Sequence, residues 1–375
     1  MITVKIAPTN RCNLRCKSCY NASYFEDCEI PLEKMRAFLE DAKSNLINRI
    51  DLIGGEPMCY CYFQELCNII KKKQIKATIT TNATQINEEN VDFLGAFEQI
   101  TISLDGFTNE DNDSVRGAGI FNKVKRALSI IELKHPEYKV YLNCTMSKKA
   151  LDNLEKSLEF AKYKCVKGII INHPLIIGNA KKQDEKFWES SRYYLEKIIS
   201  FCDNNLDKIK NYNYNFSGSS MSSWYLQYKY GIKNYAPQFE YCMASCFVYY
   251  IDGTGTVYPC NLYYGIEKFK NISKEENLKI GNINEMSFDS ILELQIYNRF
   301  FEWVRKNEKE YSPINNSNCI SCPFWNRGYC SIKCPFSESP RDSIEMCNYI
   351  IKREGKNIFK YIEKYLNDYE KDVHL

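Results

Sequence analysis

Histidine is scarce in this chain. His135, His173 and His374 are the only three in 375 residues, so imidazole-based zinc chemistry and a cysteine–histidine nucleophilic pair are both poorly supplied. Charge of one sign is also lacking. The 50 Lys and Arg nearly balance the 47 Asp and Glu, for a net charge of +3, and the two signs are interspersed. That leaves no field strong enough to draw nucleic acid or an anionic membrane. Long apolar runs are missing too. The opening "MITVKIAPTN" alternates apolar and polar residues without the core of a signal peptide, and no later run approaches the roughly 20 residues of a membrane span. The expectation is a cytoplasmic protein with neither a nucleic-acid nor a membrane partner.

Cysteine is what the chain has, with 18 residues. Disulfides do not persist in a reducing compartment, so clustered cysteines there read as metal ligands or catalytic thiols. Cys12, Cys16 and Cys19 stand together in "NRCNLRCKSCYN", with C-x3-C-x2-C spacing. Four thiolates close a cubane iron–sulfur cluster. Three leave one iron open to a substrate or cofactor. The competing reading of this stretch is a zinc site with a missing or distant ligand.

The first half alternates strand and helix. "ITVKIA", "RIDLIG", "IKATITTN", "QITISLDG", "KVYLNCTM" and "GIIINHPL" read as strands. "PLEKMRAFLEDAKSNL", "FQELCNIIKKK", "EENVDFLGAF", "FNKVKRALSIIEL" and "LDNLEKSLEFAK" read as helices between them. Repeated βα units imply an α/β fold with a parallel sheet, either doubly wound or an incomplete barrel. The stretch 211–231 is rich in Tyr, Asn and Ser and shows no clear period. It reads as a linker around the barrel or as a surface for a peptide. A boundary falls near residue 235. Beyond it cysteines become dense, and "NIFKYIEKYLNDYEK" reads as a terminal helix. The domains expected are 1–235, 236–350 and a C-terminal helix over 351–375.

Two further motifs sit where strands end. "GGEP", Gly54 to Pro57, follows the second strand, and its glutamate can accept from an ammonium group. "SLDG", Ser103 to Gly106, follows the fourth. Ligand-binding residues are expected at such strand ends. With C-x3-C-x2-C after the first strand, the order of motifs resembles the radical S-adenosylmethionine (SAM) enzymes over roughly residues 1–200. The resemblance implies a partial (β/α)6 TIM-like barrel. It implies a [4Fe–4S] cluster on Cys12, Cys16 and Cys19, whose open iron is chelated by SAM. Reductive cleavage of SAM would give a 5′-deoxyadenosyl radical that abstracts hydrogen from the substrate. By the same resemblance Gly54, Gly55 and Glu56 face the methionine part of SAM, with Glu56 on its ammonium. Ser103 and Asp105 stand at the ribose position, Arg116 at the SAM carboxylate, and Ile176 beside adenine. Many members carry an aromatic residue just before the third cysteine. Here that residue is Ser18, and Tyr20 after Cys19 is the candidate to pack on adenine.

The second cysteine field runs Cys242, Cys246, Cys260, Cys319, Cys322, Cys330, Cys334 and Cys347. "DGTGTVYPC" reads as a small hairpin presenting Cys260. Taken alone, four-cysteine sites with C-x2-C spacing are usual for structural zinc. Behind this barrel the field resembles the C-terminal SPASM domain, a cysteine-rich iron–sulfur domain. That resemblance implies one auxiliary cluster on Cys242, Cys246, Cys260 and Cys334 and another on Cys319, Cys322, Cys330 and Cys347, for three [4Fe–4S] clusters in all. The other cysteines, 28, 59, 61, 67, 144, 165 and 202, read mostly as small apolar fillers. Cys59 and Cys61, next to "GGEP", lie close enough to the expected site to be considered for a catalytic role.

SPASM relatives imply a peptide or protein substrate and a low-potential electron donor such as flavodoxin or ferredoxin. The size resembles that of the anaerobic sulfatase maturases, which make formylglycine. In those enzymes an aspartate, thought to be the base, follows the third cysteine of this region. Here Asn261 stands there, and an amide takes no proton at neutral pH. The catalytic base is therefore unassigned. The first reading is a maturase of ribosomally made peptides that forms a crosslink or another oxidised side chain. The alternatives are a formylglycine-forming maturase and a small-molecule radical oxidoreductase or decarboxylase. Because Met1 nearly opens the first strand, no leader-binding domain is expected ahead of it. A peptide would then be recognised by the barrel mouth or brought by a separate leader-binding protein.

Overall fold

The structure is a computed structural model. It describes residues 2–21, 27–44, 47–232, 248–262, 279–294, 317–327, 329–330 and 340–373. Seven strands form its first part: β1 (Ile2–Ile6), β2 (Ile47–Leu52), β3 (Ala77–Thr81), β4 (Gln99–Ser103), β5 (Val140–Thr145), β6 (Val166–Asn172) and β7 (Asn213–Phe216). They lie side by side in chain order, and every neighbouring pair is parallel. A doubly wound sheet would reverse its strand order at a switch point. This one does not, and the described residues show no pairing of β7 with β1. The fold is the partial barrel.

The strands alternate as their sequences imply. Val4, Ile6, Ile50, Ile79, Ile100, Ile102, Leu142 and Ile169 are buried, facing the helix layer. The opposite face carries Thr78, Thr80, Thr101, Ser103, Asn143 and Asn172 and is half-buried. The helices in the first part are α1 (Leu32–Ser44), α2 (Phe63–Lys73), α3 (Asn109–Arg116), α4 (Ile120–Lys134), α5 (Lys148–Asp152), α6 (Ser157–Phe160), α7 (Glu185–Trp188), α8 (Ser191–Ile209) and α9 (Ser220–Tyr230). Thr108 caps α3 by accepting from the Asp111 amide, and Gly117 at φ 112 ends it.

Three readings need adjustment. Residues 91–96 form a 3₁₀ segment rather than an α-helix. The helix expected at 151–162 is split, because Asn153 leaves helical geometry at φ −107 and a 3₁₀ turn separates α5 from α6. The stretch 211–231, which shows no period in sequence, supplies both β7 and α9.

The later elements are β8 (Val248–Ile251), β9 (Thr256–Tyr258), β10 (Gly281–Asn282), α10 (Phe288–Glu293), α11 (Ser317–Ile320), α12 (Pro323–Asn326), α13 (Pro340–Glu354) and α14 (Ile358–Val373). β8 pairs in parallel with β1, and β9 and β10 continue the sheet antiparallel. The C-terminal region thus extends the barrel sheet on its β1 side, and α13 runs through residue 350. No helix among the described residues is long and apolar enough to cross a membrane.

Candidate active site

The cysteine loop leaves the C-terminal end of β1 and is pinned from several directions. The Gly55 and Glu56 amides donate to the Thr9 and Arg11 carbonyls at 3.3 and 2.8 Å, and the Lys17 amide donates to the Val115 carbonyl at 2.8 Å. Asn82 Nδ2 donates to Asn13 Oδ1 at 2.8 Å. The Asn179 amide donates to the Cys19 carbonyl at 3.0 Å, and Asn179 Nδ2 donates to the Cys16 carbonyl at 3.0 Å. Much of the loop's backbone is therefore satisfied by protein, which leaves the thiols as its reactive groups.

The glycines of "GGEP" serve this contact. A Cβ on Gly54, at φ +114, would lie 2.1 Å from Ala7 Cβ, and one on Gly55 would lie 2.2 Å from the Arg11 carbonyl oxygen. The close backbone approach that two glycines permit is here to the cysteine loop itself. Glu56 is buried. Its Oε1 accepts from Thr81 Oγ1 at 2.6 Å and from the Met58 amide at 3.1 Å, and its Oε2 accepts from the Asn82 amide at 2.7 Å. A carboxylate offers about four acceptor positions, so one remains for an ammonium group. Burial raises the Glu56 pKa and these hydrogen bonds oppose it.

The three thiols lie close enough to feel one another. Burial pushes Cys12 up to about 12, and the charges of Cys16 and Cys19 add to that. Cys19 is pushed up to about 11, by burial and then by Cys16. Among the described residues no three His, Cys, Asp or Glu side chains converge on a single-ion position. Four of the six buried side-chain polar atoms without a partner among the described residues surround this loop: Asn10 Nδ2, Arg11 Nε, Asn21 Oδ1 and Arg116 Nε. Such atoms are costly to leave unpaired. Three thiols that become thiolates on metal binding, ringed by unused polar atoms, fit a cluster with a polar co-ligand.

Asp105, just past the end of β4, meets Arg116 at the end of α3. Arg116 Nη2 lies 2.9 Å from Asp105 Oδ2, and Arg116 Nη1 lies 3.9 Å from Cys16 Sγ. Asp105 also accepts from Ser18 Oγ at 3.0 Å and from the Thr145 amide at 2.8 Å. Both its oxygens are engaged by protein, whereas Ser103 ends β4 half-buried.

Beside the loop lies a cleft of about 360 Å³, within the range of small-molecule sites. Ser18 and Tyr20 line it from the cysteine loop, Thr145, Asn172, His173 and Ser217 from the ends of β5, β6 and β7, and Leu262 and Met346 from the C-terminal region. On either side of Ile176, the residue expected beside adenine, Leu175 and Ile177 line the cleft, while Ile176 itself packs toward Val115, Ala180 and Trp188. Tyr20 is pushed up to about 12 by burial, against a hydrogen bond with Asn261. Lys5 Nζ donates to Asn261 Oδ1 at 3.3 Å. Asn261 therefore stands next to the cleft wall as an amide held at both ends. Nothing in the local sequence marks Ser18 as an anchor for Asp105, whereas His173 falls within "NHPLIIGNA", the stretch after the sixth strand that the resemblance places near adenine. For His173 the signal was its place just past the C-terminal end of β6.

In the C-terminal region, Cys319, Cys322 and Cys330 are buried. The Cys347 thiol is raised by burial and by nearby Cys330, Cys322 and Cys319, so these four lie together. Cys347 Sγ donates to Ser219 Oγ at 3.3 Å. Cys260 follows the β8–β9 hairpin. Cys242, Cys246 and Cys334 lie outside the described residues. Of the remaining cysteines, Cys67, Cys144, Cys165 and Cys202 are buried, Cys28 and Cys59 half-buried and Cys61 exposed.

The sequence profile of the Radical SAM superfamily matches residues 6–161, and that of SPASM, an iron–sulfur cluster-binding domain, matches 242–323. The chain carries a radical SAM domain followed by a SPASM domain. It is 33% identical over 123 residues to the mycofactocin maturase MftC of Mycobacterium ulcerans, a match covering 32% of this chain and 33% of that protein. It is 29% identical over 199 residues to the Fe-coproporphyrin III synthase of Methanosarcina barkeri, covering 51% of this chain and 49% of that one. These matches thus span a third to a half of the curated relatives. In fold, the radical SAM/SPASM chain is similar to Streptococcus suis SuiB bound to its precursor peptide SuiA. The TM-score is 0.68 at 20% identity, over 90% of this chain and 75% of that one.

Proposed function

We propose that this protein is a radical SAM/SPASM maturase that abstracts hydrogen from a side chain of a ribosomally made peptide, leaving a crosslinked or otherwise oxidised product. The observation that carries this reading is the shared cleft. The cysteine loop, three strand ends and the C-terminal Leu262 and Met346 all face one cavity, so a substrate there touches both domains. The maturase relative and the peptide-bound SuiB support the choice of substrate class.

With a [4Fe–4S] cluster and SAM bound, the site would supply a carbon-centred radical for hydrogen abstraction. The chain's own residues prepare it. Cys12, Cys16 and Cys19 would hold the cluster on a loop pinned by "GGEP", Asn82 and Asn179. Glu56 would offer its remaining acceptor position to the SAM ammonium, and Arg116 its unpaired Nε to the SAM carboxylate. Tyr20, Leu175 and Ile177, which line the cleft, would meet the adenine, and Ser103 the ribose. Cys319, Cys322, Cys330 and Cys347 would hold one auxiliary cluster, and Cys260 with Cys242, Cys246 and Cys334 a second, for three in all. The reading includes a low-potential flavodoxin or ferredoxin as donor, a separate leader-binding protein and a cytoplasmic setting. Asn261, held by Lys5 and Tyr20, cannot serve as a base, and this argues against formylglycine formation.

The test is anaerobic co-expression with each short peptide encoded beside the gene, followed by intact mass. A loss of hydrogen in one peptide that is missing with Cys12→Ala supports the proposal, and fragmentation then locates the bond. Unchanged peptide masses alongside continuing production of 5′-deoxyadenosine would overturn it and direct attention to small-molecule substrates.

A further inference from the structure

We infer that Asp105 is a positioning residue that fixes Arg116 against the Cys16 thiol, and that this buried pair sets how readily the cluster held by the cysteine loop accepts an electron. The inference rests on the proposed cluster ligation and concerns residues that the ligand set leaves out.

The geometry is specific. The Asp105 side chain is fully buried, and that of Arg116 is 11% exposed. The carboxylate receives three donors from three separate segments: Ser18 Oγ of the cysteine loop at 3.0 Å, the Thr145 amide at the end of β5 at 2.8 Å, and Arg116 Nη2 at the end of α3 at 2.9 Å. The ion pair therefore ties the cysteine loop to the strand and helix that frame it. The guanidinium is rigid and planar, so fixing Nη2 also fixes Nη1, which lies 3.9 Å from Cys16 Sγ. Cys144 lies buried beside the pair as a neutral thiol, and Glu56 is the other buried carboxylate that acts on Arg116.

The electrostatic consequence has a sign. Reducing a cluster adds negative charge to it. A cation beside one of its thiolates favours the reduced form, because charges and hydrogen bonds next to the ligating sulfurs shift such potentials. Asp105 partly neutralises that cation. Removing the carboxylate should strengthen the positive field at Cys16, and removing the guanidinium should leave a buried, uncompensated anion in its place. A pair serving only to hold the fold would give no such opposition of sign.

The experiment is a redox titration of the reconstituted full-length enzyme, followed by electron paramagnetic resonance of the reduced cluster that perturbs on SAM addition. Asp105→Asn keeps one oxygen to accept from the Thr145 amide, places its amide group toward the Ser18 hydroxyl, which can accept as well as donate, and should shift the midpoint upward. Arg116→Gln should shift it downward. The double variant, which restores neutrality, should return close to wild type, and Arg116→Lys should stay nearer to wild type than Arg116→Gln does. Thermal melting of the metal-free variants identifies any that do not fold. The double variant, which leaves no unpaired buried charge, and Arg116→Lys, which keeps the cation beside Asp105, decide the question if a single neutralising variant does not fold. A double-variant midpoint far from wild type, or Arg116→Lys moved as far as a loss of the charge, also counts against the inference. Midpoints unmoved in Asp105→Asn, or moved in the same direction in both single variants, would overturn the inference. A wild-type enzyme that takes up no cluster would instead overturn the functional proposal on which it rests.

Discussion

At the scale of single residues, the site is legible where chemistry restricts the choice and illegible where distant segments must meet. Three cysteines in C-x3-C-x2-C, and a glutamate after two glycines, have few other uses, and the structure sets both on one mouth. Ser18, Asp105, Arg116 and Thr145 are scattered over more than a hundred positions, and nothing in their local sequence says that one carboxylate gathers the other three. The motif alone suggests a ribose contact for Asp105; that Ser18, Thr145 and Arg116 converge on it is not written in the motif. The glycines offer the sharpest test at this scale. Gly55→Ala forces a Cβ to within 2.2 Å of the Arg11 carbonyl oxygen and 2.7 Å of that of Asn10, and backbone cannot yield as a side-chain tip does. Overpacking of this kind costs about 1–3 kcal/mol. Melting of the metal-free chain should fall accordingly, and iron bound per chain should drop because the displaced backbone carries Cys12. Full iron content in Gly55→Ala would show that the loop does not depend on this contact.

At the scale of elements, period and burial decide what the sequence reveals. The six strands expected were found because apolar residues alternate on them. β7 was missed although Tyr214 and Phe216 point inward and Asn213 and Asn215 outward, because aromatic residues among asparagines resemble surface composition. α9 was missed for a different reason. Ser220, Met221, Ser222, Trp224, Tyr225 and Leu226 are all buried, so the helix has no polar stripe to mark its period. The end of α4 carries a pH-dependent link to the 3₁₀ segment at 91–96. His135 caps α4, stacks on Tyr138 with centroids 4.4 Å apart, and meets Asp92 at 2.7 Å and Glu137 at 3.0 Å. Its hydrogen bond to Asp92 raises the histidine pKa above 6.5, and the same bond lowers that of Asp92 below 3.8. A raised histidine stabilises fully below its unfolded pKa, and that contribution is lost as pH rises through the folded value. A lowered aspartate stabilises above its unfolded pKa and loses that contribution as pH falls through the folded value. The link is thus strongest between about pH 4 and 6.5. His135→Gln should flatten the decline in melting temperature from pH 6 to 8. An unchanged decline would place its origin elsewhere.

At the scale of the whole molecule, the radical SAM and SPASM regions share a sheet and a core. β8 fills the hydrogen-bonding edge of β1, with Thr3 opposite Val248 and Ile6 opposite Ile251. α12, α13 and α14 pack on α9: Trp224 of α9 lies near Phe324 of α12 and Tyr365 of α14, and Tyr225 donates to Glu354 of α13 at 2.5 Å. Burying a large side chain of this kind is worth about 1.5–3 kcal/mol, and several are involved. Composition marks a boundary near residue 235, where cysteine density changes, but composition cannot show that the chain returns afterward to complete the first sheet. The consequence is a prediction about cooperativity. Residues 1–232 expressed alone would expose the β1 edge, which invites pairing with other chains, together with the faces around Met221 and Trp224. The fragment should elute as large aggregates on size exclusion and bind an apolar dye, while the full chain, free of metal, unfolds in one transition. A monomeric 1–232 fragment with a sharp melt of its own would show that the barrel is complete without its C-terminal partner and that the shared sheet contributes little to its stability.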